Sequence, residues 1–141
     1  MKITTKGRYG LTFMLELARN YGNGPLSLKS IATKKGLSDA YLEQLATPMR
    51  KASLIMSSRG AYGGYMLSRH PKNVKAGEVI RVLEGPITLV ENIEDEEKAN
   101  QALWLKMTAA IRHVLDTTSL EDLLNQERSG TDKQEAYMFY I

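Results

Sequence analysis

The residues able to do chemistry in this chain are hydrogen-bond donors and acceptors in two short stretches, not a catalytic set. The first is Ser38-Asp39-Ala40-Tyr41-Leu42-Glu43-Gln44. A serine followed by an aspartate caps a helix and complements its dipole. The exposed first turn of that helix then holds Ser38, Asp39, Ala40 and Tyr41, while Glu43 and Gln44 lie opposite Leu42 and Leu45. A glutamine can pair with the edge of adenine, and a glutamate can accept from the amino group of cytosine. The second stretch is Ser58-Arg59-Gly60-Ala61-Tyr62-Gly63-Gly64. Three glycines so close together make a hairpin loop. An arginine on a narrow hairpin suits an A·T-rich minor groove, where the potential is most negative. Gly60, Gly63 and Gly64 let backbone approach phosphates closely. Tyr62 and Tyr65 supply hydroxyls or packing, with Tyr65 expected as a strand residue against the preceding helix.

Other chemistries are poorly served. The glycine loop is neither a dinucleotide fingerprint nor a Walker loop. The chain has no cysteine, so disulfides, thiolate zinc sites and cysteine-held clusters are excluded. Its two histidines, His70 and His113, have no evident triad partner, and the carboxylates at 94–97 fit no cation loop. No metal, cofactor or enzymatic activity is expected. No apolar run approaches a membrane span, and Met1-Lys2-Ile3-Thr4-Thr5-Lys6 carries no apolar signal core. A cytoplasmic location follows as an expectation.

The elements that must position the two stretches can be read from periodicity. Helix one starts near Thr4 or Thr5, either of which could cap it, and turns Gly10, Phe13, Met14, Leu17, Ala18 and Tyr21 to one buried face. Gly22, Gly24 and Pro25 end it. Helix two opens at Ser27, buries Leu28, Ile31 and Ala32, and closes at Gly36. Helix three buries Tyr41, Leu42, Leu45 and Met49, and Pro48 should kink it or bring its end forward. Strands at Leu54–Ser57 and Tyr65–Ser68 flank the glycine loop. A helix-turn-helix followed directly by a hairpin is a winged helix. A further helix spans about Lys75 to Leu83. After it come the acidic residues Glu91 to Lys98, then a long helix from about Ala99 to Asp116 with Leu103, Trp104, Met107, Ile111, Val114 and Leu115 along one side. A small head does not need so long an apolar edge, so pairing with a second copy is the economical explanation. A short helix capped by Thr118 or Ser119 carries Leu120, Leu123 and Leu124. Residues 126–136 read as polar and mobile.

The fold class is therefore mainly α (α+β): a winged helix-turn-helix with a two-stranded wing and a long C-terminal dimerisation helix. The expected divisions are a DNA-binding head at 1–85, a connector at 86–98, the dimerisation helix and a short helix at 99–125, and a flexible tail at 126–141. Charge follows the same division. Residues 1–70 hold 11 Lys+Arg and 3 Asp+Glu, a net +8, whereas residues 71–141 hold 8 and 13, a net −5. A basic head favours a polyanion. Phosphate contacts are expected from Lys6, Arg8, Lys29, Lys34, Lys35, Arg50 and Lys51. With Tyr9, Ser27, Ser38, Asp39, Tyr41, Glu43, Gln44, Arg59, Gly60, Gly63 and Gly64, these form the candidate DNA surface.

Three motifs together resemble a known family: Thr5-Lys6-Gly7-Arg8-Tyr9-Gly10, then Ser38-x-x-Tyr41-Leu42-Glu43-Gln44, then Arg59-Gly60-x-x-Gly63-Gly64-Tyr65. The chain is similar to the Rrf2 family of bacterial winged-helix repressors over nearly its whole length. That resemblance implies dimers joined by the long helix and partly palindromic operators. It also places Ser38, Tyr41, Glu43 and Gln44 in the recognition helix and Arg59 in the minor-groove wing. Cluster-binding members carry three cysteines before the dimer helix. Here Glu91 to Gln101 has none, so cluster sensing is not inherited.

Arg81-Val82-Leu83-Glu84-Gly85-Pro86-Ile87, Glu94-Asp95-Glu96-Glu97 and Glu135-Ala136-Tyr137-Met138-Phe139-Tyr140-Ile141 look most like the family's cysteine-metabolism repressors. That likeness implies cysteine synthase (O-acetylserine thiol-lyase) as partner, with O-acetylserine disrupting the pair. Met138, Phe139, Tyr140 and Ile141 are the candidate partner-binding residues, since a carboxylate beside an apolar side chain is a recurring recognition element. The alternatives are that this segment packs on the long helix or the other subunit, that a small effector binds directly between head and dimer helix, and that the protein is an adaptor of cysteine synthase that no longer reads DNA.

Overall fold

A computed structural model of the chain describes the backbone of residues 2–139 and the side chains of residues 2–130. Its elements are α1 (Thr5–Arg19), α2 (Leu28–Lys35), α3 (Asp39–Lys51), β1 (Ile55–Ser58), β2 (Gly64–Leu67), α4 (Ala76–Glu84), α5 (Lys98–Thr117) and α6 (Leu120–Phe139), with 3-10 turns at Pro71–Asn73 and Ile93–Asp95. This is the expected winged helix-turn-helix, with an antiparallel two-stranded wing running from Ile55 opposite Leu67 to Ser58 opposite Gly64.

Two serines set the helix-turn-helix. Ser27 Oγ accepts from the Ser30 N–H and Ser38 Oγ from the Tyr41 N–H, both at 3.1 Å. Between the two helices Gly36 adopts φ 67°, where a side chain would be strained, and Leu37 N–H turns back to the Ala32 carbonyl. Pro48 neither ends nor shortens α3, which continues to Lys51. Proline deprives only the Gln44 carbonyl of its helical donor, and Leu45, Ala46 and Met49 around it are fully buried and hold the turn. A two-stranded ribbon is marginal alone. Here Leu26 and Tyr65 exchange backbone hydrogen bonds at 2.8 and 2.9 Å, which ties the wing to the entry of α2.

The core is built from Phe13, Met14 and Leu17 of α1, Ile31 of α2, Leu42, Leu45 and Met49 of α3, Ile55 and Leu67 of the wing, and Val79 and Leu83 of α4. Tyr21 departs from the expected face. Helix α1 stops at Arg19, so Tyr21 leaves the helical register, is 44% exposed and meets the His70 ring edge-on at 5.1 Å.

The cap of α1 also differs from expectation. Thr4 is the cap residue, yet its side chain does not cap the helix. Glu84, at the end of α4, does so instead. Its Oε1 accepts from the Thr4 and Gly7 N–H groups at 2.9 and 3.0 Å and from the Thr4 hydroxyl at 2.5 Å. These bonds hold the Glu84 carboxyl below its usual range, the Thr4 hydroxyl contributing most. Gly7 and Gly10 make the approach possible. A Cβ on Gly10 would collide with Leu83 Cδ1, and one on Gly7 with the Glu84 carboxylate.

Beyond the head, no residue of α5 is buried. The α5–α6 junction is nevertheless pinned to the head. Ala76 N–H donates to the Thr118 carbonyl and Leu120 N–H to the Val74 carbonyl, and Leu120 is fully buried in the core. Ser119 and Asp122 cap α6 reciprocally, each side chain accepting from the other's backbone N–H. The short helix and polar tail expected from residue 126 are instead one helix to Phe139. Glutamate, glutamine, arginine and lysine propagate a helix without an apolar face, so polarity alone was a poor loop signal. The division at 125/126 therefore does not mark the end of an element.

Gly10→Ala is expected to lower unfolding free energy by about 1–3 kcal/mol, the usual cost of overpacking. Urea denaturation followed by circular dichroism measures it, and an unchanged midpoint would remove the close-approach account.

Candidate nucleic-acid interface

Helix α3 turns its polar edge outward as its spacing requires. Ser38, Asp39, Ala40, Glu43 and Gln44 are exposed, while Leu42 and Leu45 behind them are fully buried. Tyr41 is half-buried, its ring edge-on to Tyr9 of α1 at 6.1 Å. Tyr9 thus braces the first turn of α3.

Glu43 is held by the wing. The buried Tyr65 of β2 donates its hydroxyl to Glu43 Oε1 at 2.9 Å, and its ring packs edge-on against Phe13 at 6.3 Å. Burial first, then the hydrogen bond to Glu43 and its charge, push the Tyr65 phenol above its usual range. The expected packing of Tyr65 is present. The hydrogen bond to Glu43 spans 22 residues and has no sequence-local signal. It orients a carboxylate on the exposed edge of α3 and couples that edge to the wing.

The wing tip presents Arg59, Gly60, Ala61 and Tyr62, with Tyr62 93% exposed. Gly60 sits at φ 110°, and its carbonyl accepts from the Gly63 N–H at 3.0 Å. Packing within the wing gives Gly63 and Gly64 a reason distinct from phosphate approach. A Cβ on Gly63 would strike the Ser58 carbonyl, and one on Gly64 the Leu26 carbonyl.

The cations divide into two groups. Lys6, Arg8, Lys29, Arg50 and Lys51 are exposed. Lys34 and Lys35, also expected to meet phosphates, are exposed too and in addition contact Glu16. That carboxylate is only 4% exposed and contacts Lys34 Nζ at 2.9 Å, Lys35 Nζ at 3.1 Å and Arg19 Nη1 at 2.7 Å. Burial alone would raise the Glu16 carboxyl; hydrogen bonds and charge from Lys34 and Lys35 outweigh it and hold it low. Arg19 also reaches Glu127 of α6 at 2.9 Å. A signal for this cluster was present in the sequence. Glu16, the first acidic residue, lies one turn from Phe13 on the apolar face of α1. Ser27 is exposed, with its hydroxyl engaged in capping α2.

The row expected on α5 is uncovered in the single chain. Leu103, Met107 and Val114 are 50%, 42% and 60% exposed, and Trp104, Ile111 and Leu115 are half-buried. Ile111, Val114 and Leu115 form an apolar groove with Ile3 and Leu89. Among the described residues no group of three or more His, Cys, Asp or Glu could hold a metal, and no helix is long and apolar enough to cross a membrane. His70 Nδ1 accepts from the Lys72 N–H at 3.1 Å, and His113 is exposed on α5. Of the candidate partner-binding residues, Tyr140 and Ile141 lie outside the described residues, as do the side chains of Met138 and Phe139.

Arg50→Ala is expected to reduce the slope of log affinity against log salt for duplex DNA by about 1, the value for one lost phosphate contact. Lys34→Ala is expected to leave that slope unchanged because Glu16 already holds the ammonium. Fluorescence anisotropy across a salt series distinguishes the two.

Comparison with known proteins accords with this geometry. Residues 3–126 match the Rrf2 family model, described as "Iron-dependent Transcriptional regulator". The chain is 59% identical over 142 residues to the HTH-type transcriptional regulator CymR of Bacillus subtilis (strain 168), covering all of both chains. It is 33% identical to the HTH-type transcriptional regulator IscR of Klebsiella pneumoniae (strain 342), over 90% of this chain and 82% of that one. The solved structure of B. subtilis CymR, called there the global cysteine regulator, superposes with a TM-score of 0.84 at 57% identity, over 89% of this chain and 98% of that one. Staphylococcus aureus CymR in its oxidized form gives 0.76 at 54% identity, over 87% and 95%. With a family match spanning the head and the long helix, and a relative this similar from end to end, the chain belongs to the Rrf2 family of transcriptional regulators.

Proposed function

We propose that this regulator is a homodimeric repressor of cysteine and sulfur metabolism genes, with cysteine synthase as its sensor partner and O-acetylserine as the signal that separates them. The observation that carries the reading is the Tyr65–Glu43 hydrogen bond beside an exposed Arg59 wing, in a chain 59% identical to a regulator named CymR. One oriented carboxylate and the neighbouring Gln44 suit base edges in a major groove. Arg59 suits the adjacent minor groove, and Lys6, Arg8, Lys29 and Arg50 suit phosphates. The uncovered apolar row of α5 supports pairing through that helix, because an exposed row of large apolar side chains costs solvation until a second copy covers it.

The partner component rests on the likeness of Glu135–Ile141 to the family's cysteine-metabolism repressors. Substrate and tail would compete for one pocket on the enzyme, and linkage would convert O-acetylserine concentration into DNA affinity. The Glu94-Asp95-Glu96-Glu97 connector, without cysteine, is consistent with sensing that does not reside in a cluster.

A gel-shift titration on a cysteine-biosynthesis promoter tests the reading. Arg59→Ala is expected to weaken binding by about 1–3 kcal/mol. Cysteine synthase is expected to raise the parent's affinity, and O-acetylserine to remove the gain. Tight binding indifferent to enzyme and O-acetylserine would discard the partner mechanism, and parental affinity in Arg59→Ala would discard the minor-groove role. Calorimetry with a chain lacking its last four residues isolates the tail: enzyme binding is expected to vanish, and undiminished heat would exclude the tail as the docking element.

A further inference from the structure

One charged cleft lies between the last turn of α4 and the second half of α5. It is walled by Arg81, Gly85, Pro86, Ile87 and Arg112. Both guanidiniums are held in place by the protein. Arg81 donates through Nη1 and Nη2 to the two carboxylate oxygens of Asp116 at 2.5 and 2.8 Å. Arg112 donates through Nε and Nη2 to the Ile87 carbonyl at 3.1 and 2.9 Å. These bonds use two of the three nitrogens in each guanidinium and fix both planes.

Arg81 pairs with Asp116 while Arg112 is bound only to a carbonyl, so Arg81, Arg112 and Asp116 together carry +1. Asp116 titrates below its usual range, chiefly through the Arg81 hydrogen bonds, with the Arg112 charge adding to the effect. Gly85, at φ 86°, lines the cleft without a side chain. Ile87, 2% exposed, forms an apolar floor. A fixed, planar donor fork matches a carboxylate better than a tetrahedral ion, and the surplus of one positive charge matches a monoanion. Asp116 already shows Arg81 engaging this chemistry.

We propose that this cleft binds a small carboxylate between Arg81 and Arg112; none of its lining residues is among the candidate DNA-binding or partner-binding residues. Arg81 belongs to α4, which packs on α1 of the head, whereas Arg112 and Asp116 belong to α5. A carboxylate seated there competes with Asp116 for Arg81 and changes the link between the head and the long helix. The inference does not depend on cysteine synthase as partner.

The test uses the full chain, isotopically labelled, titrated with acetate at constant ionic strength against chloride. Acetate is expected to shift the arginine side-chain resonances saturably, with roughly millimolar affinity. Arg112→Gln and, separately, Arg81→Gln are expected to weaken that affinity at least about fivefold, as loss of one charged donor does, with thermal melts confirming that each variant folds. Equal shifts from chloride, parental acetate affinity in both folded variants, or saturation by inorganic phosphate and not by acetate would each overturn the proposal.

Discussion

The close approach of α1 to α4 is the constraint on which the other contacts depend. Gly7 and Gly10 leave no side chain between the helices, so Leu83 seats directly on α1 and Glu84 reaches its N-terminus. The carboxylate then satisfies helix N–H groups that the cap residue's own side chain leaves unmet. With α4 seated on α1, its other side meets α5 through the Arg81–Asp116 pair, and Gly77 there stands where a Cβ would collide with the Asp116 carboxylate. The element joining head to long helix is therefore packed by glycines on both sides and bound by a carboxylate on each.

The first two glutamates of the chain show how burial decides the use of a charge. Glu16 is buried, and three cations gather on it to offset the lost solvation. Those cations become part of the scaffold linking α1 to α2, and through Arg19 and Glu127 to α6. Glu43 is exposed and takes one directional bond from Tyr65. Its position is set while its charge remains on the surface of α3.

Among its relatives the chain keeps the winged head and the long helix, and the solved CymR structures superpose over most of its length. Its connector at 86–98 has no cysteine, and the described structure holds no cluster of metal-ligating groups.

Local signals in the sequence determined the caps at Ser27 and Ser38, the left-handed turn at Gly36, the hairpin around Gly60, and the apolar faces of α1 and α3. Each depends on residues within a turn or two of one another, where propensity and periodicity act directly. The long amphipathic α5 was legible for the same reason, because its apolar spacing does not depend on what covers it. Tertiary structure decided what lies between elements distant in sequence. Glu84, 77 residues from Gly7, caps α1; Tyr65 orients Glu43; Glu16 captures Lys34 and Lys35. It also decided that α3 continues through Pro48 and that Leu120 belongs to the head core. A charged side chain takes the partner that folding brings nearest, and the spacing of residues along the chain does not encode that distance.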